Sequence, residues 1–234
     1  MRHGIAAAVL LSAAAPVAAQ DHWRWSLEPS FLAPSVDGVV TLPPSAPVSA
    51  GPADVFAHLQ FGAMLTVEAT RGVWTVSLDG YYTNLAQQAD SASLTGQFQQ
   101  GAIELVALRR MAPWAEVLLG IRVNFLGAGL EGTLGGSPVD TSTSVSWAEP
   151  IVGGRATAPG TGPWDLSLRA DVGGFGLGSN LAWQVHPIVG YRTSPSFMVA
   201  LGYRYASVDY ENDDKQFAWD MATFGPEVRV QFRF

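Results

Sequence analysis

The sequence predicts an all-β fold, an up-and-down antiparallel transmembrane β-barrel of about ten strands, with eight and twelve as the alternatives. Three observations predict it. Apolar and polar residues alternate with period two in ten segments, the connections between them alternate between short and long, and the ionic side chains sit on the phase opposite the apolar ones.

In residues 22–33, Trp23, Trp25, Leu27 and Phe31 share one phase and Arg24, Ser26, Glu28 and Ser30 the other. In 60–70, Phe61, Ala63, Leu65, Val67 and Ala69 oppose Gln60, Thr66 and Glu68. A tight turn at 70–73 leads to Trp74, Val76, Leu78 and Tyr82 against Thr75, Ser77, Asp79 and Thr83, so these two segments read as a hairpin. Ile103, Leu105 and Ala107 face away from Glu104 in 97–109, and Val117, Leu119, Ile121, Val123 and Phe125 oppose Glu116, Arg122 and Asn124 in 114–126. In 144–157, Glu149 and Arg155 share a phase, and Trp147 falls on that ionic phase too. Trp164, Leu166, Leu168, Ala170 and Val172 oppose Asp165, Arg169 and Asp171, and Trp183, Val185, Val189 and Tyr191 oppose Gln184, His186 and Arg192. Phe197, Val199, Leu201, Tyr203 and Tyr205 oppose Arg204, and Phe224, Val228, Val230, Phe232 and Phe234 oppose Glu227, Arg229 and Arg233.

Short links lie near 71–72, 110–113, 158–163 and 193–196; long ones are expected at 34–59, 85–96, 127–143, 173–180 and 210–216. Transmembrane barrels show this asymmetry, with tight periplasmic turns, longer extracellular loops and, for an even strand number, both termini on the periplasmic side. The first long loop is Pro-rich at 42–47. It then offers Val55, Phe56 and Leu59 at i, i+1 and i+4, a spacing that fits a one- or two-turn amphipathic helix as well as it fits irregular chain. The Gly-rich stretch 173–178 links two strands and lacks the helix N-terminus a phosphate cradle needs, so it reads as a turn in which Gly supplies positive φ.

Composition bounds the rest. The 234 residues are 48% hydrophobic and only 14% charged, against roughly 25% in ordinary soluble domains, so much apolar surface must be buried or shielded by lipid. With no Cys there is no disulfide, thiolate metal site or thiol nucleophile. A net charge of −7 with Lys215 as the single lysine speaks against nucleic acid. Residues 1–19 read as a secretory signal peptide, Arg2 and His3 leading an apolar run that ends in small residues, which leaves 20–234 as the barrel. Beyond them no apolar run reaches the roughly 18 residues of a transmembrane helix, so an exported chain of this kind is either a soluble periplasmic domain or an outer-membrane barrel.

The ionic phase is assigned to the lumen. Eight of the eleven arginines after residue 19 lie on it (Arg24, Arg122, Arg155, Arg169, Arg192, Arg204, Arg229, Arg233), with nine acids (Glu28, Glu68, Asp79, Glu104, Glu116, Glu149, Asp165, Asp171, Glu227). This near-balance suits an enclosed interior, where guanidinium and carboxylate pair bidentately and unpaired charge is costly. Ten strands holding these side chains are expected to be mostly filled, with at most a narrow polar leak. Trp74, Trp114, Trp164 and Phe197 open strands just after short turns, as interfacial aromatics do.

An alternating last strand ending on Phe234 resembles the terminal signal by which outer-membrane barrels engage their insertion machinery, the partner this resemblance implies. More broadly, segments 59–64, 68–74, 147–155, 171–179, 183–184, 190–192, 202–205 and 209–210 resemble the family of small, mostly uncharacterised bacterial outer-membrane β-barrel proteins, within the outer-membrane protein β-barrel superfamily. Glu149 stands where that family's Trp-x-x-Pro segment carries Asp. The resemblance implies a multi-pass barrel in contact with outer-membrane lipid and lipopolysaccharide, with no reaction attached.

Chemistry is sparse. His22, His58 and His186 have no second His at ligand spacing. His186, on the lumen phase beside Gln184, reads first as a hydrogen-bonded lumen residue and alternatively as a general base. Asp209, Glu211, Asp213 and Asp214 are a weak candidate for a hard cation, without EF-hand spacing. No cofactor is expected. The expected function is a non-enzymatic integral outer-membrane barrel with an ion-pair-filled lumen and a structural or loop-mediated binding role. The alternatives are a narrow channel for small solutes or ions and a rim-located enzyme acting on envelope lipid.

Overall fold

The computed structural model describes residues 22–41, 46–50, 53, 55, 58–88, 93–134, 137–159, 162–212 and 217–234. The expected signal peptide, Phe56, Asp213 and Asp214 lie outside the described residues, as does most of the segment expected as a short helix; of that segment Ala53 and Val55 are helical, and Leu59 opens a strand.

The strands are β1 (Arg24–Leu32), β2 (Ser35–Thr41), β3 (Ala46–Ala50), β4 (Leu59–Arg71), β5 (Trp74–Gln88), β6 (Ser93–Ala112), β7 (Ala115–Leu134), β8 (Ser137–Pro159), β9 (Trp164–Gly174), β10 (Leu181–Ser194), β11 (Phe197–Asn212) and β12 (Phe217–Arg233). Ten of them, β1 and β4 through β12, form an antiparallel ring that β1 closes by pairing with β12, from Ser26 opposite Arg233 to Leu32 opposite Glu227. The expected ten-strand barrel is therefore present.

The other two strands form a hairpin hung on the same neighbour. β2 continues the path of β1 along β12, Ser35 opposite Phe224 and Thr41 opposite Ala218, and β3 folds back on β2. At the break between β1 and β2, the Ala33 N–H donates to the Pro226 carbonyl at 2.9 Å. The chain presses there on Gly225, where a Cβ would collide with the Ala33 carbonyl oxygen.

The expected long loops are shorter than the sequence indicates. Much of 85–96 and 127–143 is strand, and β6, β7 and β8 run for 20, 20 and 23 residues. Crossing the hydrocarbon takes roughly 9–11 residues, so about half of each strand stands beyond it. There the outward face meets water instead of lipid and no longer needs to be apolar, and small polar and β-branched residues such as Thr141, Ser142 and Thr143 carry the ladder without an alternating signature.

Burial confirms which face is inside. Leu119 is 66% exposed and Ile121 and Leu105 each 56%, whereas Glu104 and Arg122 are each 5% and Glu149 and Glu227 each 1% exposed. A protein with apolar residues outside and charges inside is solvated by lipid. Trp74, Trp114 and Trp164 ring the short-turn end. Towards the other end lie the pairs Phe61–Tyr82, Trp183–Tyr205 and Tyr205–Phe224, with centroids 6.2, 4.9 and 5.6 Å apart. Trp74 and Tyr82, eight residues apart on β5, are separated along the barrel axis by about 20 Å at the usual strand rise and tilt. That is close to the height of a barrel's apolar band.

Candidate functional site

Arg122 on β7 is the hub of the mid-lumen. Its Nε donates to Glu104 Oε1 at 2.7 Å, its Nη1 to Glu149 Oε1 at 3.2 Å and its Nη2 to Asp171 Oδ1 at 2.7 Å, so one guanidinium ties β6, β8 and β9 to β7. Arg169 donates to Glu104 at 2.5 Å and to Asp171 at 3.0 Å, and the Gln184 amide on β10 donates to Asp171 at 2.8 Å and to Glu104 at 3.2 Å. Glu149 also accepts from Trp147 Nε1 at 3.2 Å and from the Ser179 hydroxyl. Ser179 reaches in from the β9–β10 turn, where Gly174, Gly176 and Gly178 take φ of 87°, 75° and 93°. The Gly-rich segment is thus the expected turn, and it carries a lumen ligand.

The other candidates form three further groups. Arg204 lies 3.5 Å from Asp79 and 3.4 Å from Glu227, and Arg229 lies 2.9 Å from both Glu28 and Glu227. Arg155 bridges Glu68 at 2.6 Å and Glu116 at 2.7 Å, and Arg192 pairs with Asp165. All nine inward carboxylates are engaged by six of the eight arginines; Arg24 and Arg233 line the periplasmic mouth. Glutamines missing from the charge pattern take part as well: Gln231 donates to Glu28, and Gln100 donates to the Tyr81 hydroxyl at 3.2 Å. Their signal was only their phase on the strand.

The lumen is not filled throughout, as the sequence led one to expect. A cavity of about 700 Å³ lies on the periplasmic side, lined by Glu68, Asp79, Arg155, Arg169, Arg204 and Arg229 among others. A second, of about 690 Å³, lies on the extracellular side. They share no lining residue, and Glu104, Arg122, Glu149, Asp171 and Gln184 line neither, so these five form a septum between them.

The extracellular cavity is where the structure departs most from the expectation of an ionic interior. Among the described residues, no Asp, Glu, Lys or Arg lines it; Phe98, Leu126, Val145, Phe217, Trp219 and Met221 do. Of its rings, Phe98 stacks on Trp219 at 5.7 Å and 10°; beside it, in the same buried apolar cluster, Trp147 stacks on Tyr210 at 3.9 Å and 11°, joining β8 to β11 above the shorter β9–β10 hairpin. These side chains lie on the lumen phase, which turns apolar just where the strands leave the ionic belt. The placement of Trp147 among charges was the one clue in the sequence.

His186 lies in the periplasmic cavity, 3% exposed, its Nε2 3.2 Å from Glu227 Oε2; among the described residues no serine hydroxyl hydrogen-bonds to it. Asp209 and Glu211 flank the inward-facing Tyr210 and so point outward, with Asp209 accepting from Asn180 at 3.4 Å. Among the described residues no group of three or more acidic, His or Cys side chains is arranged to hold a metal.

No protein-family model matches the chain, and no curated protein matches it in sequence. Solved structures do resemble it. Ail, the attachment invasion locus protein of Yersinia pestis, aligns at 11% identity over 91% of this chain and 99% of its own, with a TM-score of 0.45. The outer membrane protease OmpT from Escherichia coli aligns at 8% identity over 93% of this chain and 99% of its own, with a TM-score of 0.52. Neisserial surface protein A aligns at 10% identity over 91% and 97%, with a TM-score of 0.36. Their roles differ, and at such identities likeness speaks to fold alone. With its closed ring, lipid-facing apolar belt and ionic lumen, this chain is an outer-membrane β-barrel.

Proposed function

We propose that the protein is a non-enzymatic outer-membrane barrel whose lumen is sealed against passage and whose work is binding at its extracellular half. The observation that carries this reading is the septum. Arg122, Arg169 and Gln184 hold three carboxylates across five neighbouring strands and separate two cavities that share no wall. A buried pair of this kind adds little net stability compared with apolar packing, but removing one partner is expensive, so the network resists opening. The position of His186, buried on the periplasmic side of the septum with its Nε2 3.2 Å from Glu227, supports a structural histidine over a rim catalyst.

Planar-bilayer recording tests the reading. The purified barrel is expected to give no reproducible single-channel steps at neutral pH. Steady steps from the unaltered protein would overturn the sealed lumen in favour of a narrow channel.

A further inference from the structure

We infer that the extracellular cavity is a binding site for an uncharged, hydrocarbon-rich small molecule that reaches it sideways from the outer leaflet. The inference rests on the sealed-lumen reading, because the septum is what makes this cavity blind on its periplasmic side.

Two independent observations carry it. The first is the chemistry of the wall. In a lumen that brings together nine carboxylates and eight arginines, the about 690 Å³ above the septum has no charged lining residue among those described. Its size falls within the roughly 300–1,000 Å³ of small-molecule sites, and so does its make-up, apolar and aromatic with a few uncharged hydrogen-bonding groups such as Gln100, Thr83 and Thr223. An ionic ligand would lose its hydration there and find no carboxylate or guanidinium, His58 being the basic side chain in the described lining.

The second is a break in the strand pairing among the described residues. β1 pairs with β4 only from Arg24 opposite Thr70 to Ser30 opposite Met64; beyond that point the chain leaves β4 and follows β12 as β2. β3 pairs only with β2, so among the described residues no strand joins β3 to the 59–63 part of β4. The cavity reaches this place: besides inward residues it is lined by Phe31 and Ala63, which belong to the lipid-facing phase and are exposed. Ala63 pairs with Tyr82, in the aromatic belt that marks the outer boundary of the hydrocarbon. A continuous apolar surface therefore runs from the outer leaflet past Phe31 and Ala63 to the aromatic wall. Val55, 4% exposed, lines the cavity as well.

The test uses 12,12,12-trifluorododecan-1-ol as probe and the full barrel in lipid nanodiscs, read by ¹⁹F NMR. Beside the lipid-dissolved signal, a second, saturable resonance is expected, shifted by the ring currents of Phe98 and Trp219. Ala128→Phe, which fills the cavity from β7, should weaken this binding at least ten-fold. Ala63→Trp, which narrows the lateral route, should slow the appearance of the bound signal several-fold with little change in its final intensity. The corresponding trifluorododecyl phosphate should give no bound resonance. Each variant is first checked for barrel formation by its heat-modifiable mobility and far-ultraviolet spectrum. The inference is overturned if the unaltered protein shows no separate resonance, if Ala128→Phe leaves it intact, if Ala63→Trp leaves the rate unchanged, or if the phosphate binds equally well. None of these results alters the conductance record, so a failed site and a failed seal are told apart.

Discussion

Replacing Arg122 by methionine removes three charge-assisted hydrogen bonds, of 2.7, 3.2 and 2.7 Å, while keeping most of the side chain's volume. At about 1.5–3 kcal/mol each, three such bonds would suggest a loss well above 4 kcal/mol. The septum softens it. Glu104 and Asp171 keep Arg169 and Gln184, and Glu149 keeps Trp147 and Ser179, so no carboxylate is left without a donor. What remains is the loss of one buried positive charge from a group of three carboxylates that keeps only Arg169, and removing one partner from such a group usually costs about 3–5 kcal/mol. Urea unfolding from lipid vesicles, followed by tryptophan fluorescence, should show it as a midpoint lowered by about 1–2 M at an unchanged slope. The same variant should give small, cation-preferring conductance steps, because the displaced carboxylates draw water into the septum. Adding Glu104→Gln and Asp171→Asn should restore much of the stability. A stability change below about 1 kcal/mol together with an electrically silent bilayer would refute the view that Arg122 holds the septum.

Leu119, 66% exposed and five residues above Trp114, sits near the middle of the lipid-facing band; Leu119→Arg should cost about 2–4 kcal/mol in vesicle refolding, and a neutral result would contradict the lipid-facing assignment. Gly178 has φ 93° and no room for a Cβ beside the Ala148 carbonyl, so Gly178→Ala should destabilise by more than about 1 kcal/mol and speed amide exchange at Ser179. Phe234 and Trp25 exchange backbone hydrogen bonds of 2.9 and 3.2 Å at the closing seam. Deleting Phe234 should reduce assembly in cells more than refolding into vesicles, measured by the heat-modifiable fraction; equal losses would leave the seam bonds as its whole contribution.

The membrane-spanning belt was legible because lipid imposes one rule on every strand: residues such as Leu105, Leu119 and Ile121 must be apolar, and their neighbours Glu104 and Arg122 need not be. Above the membrane that rule lapses, so Thr141 to Thr143 look like loop although they are ladder, and Tyr210 to Asn212 are strand where a long loop was expected. Pairing partners were equally hidden. The sequence puts Glu104, Glu149 and Asp171 on the lumen phase but does not say that one guanidinium reaches all three, since this depends on barrel shear and radius. The break after Leu32 also left little trace, because Pro34 is as common beside a loop as beside an edge strand.

The two largest ionic networks differ in where along the chain their members come from, and this bears on assembly. Glu104, Arg122, Glu149, Asp171 and Gln184 come from five consecutive strands, β6 to β10, so they can find one another in a sheet that is still open. Glu28, Asp79, Arg204, Glu227 and Arg229 come from both ends of the chain and meet only once the first strand lies against the last. The first group therefore works as a template that curls the nascent sheet, and the second as a latch that engages when the ring shuts.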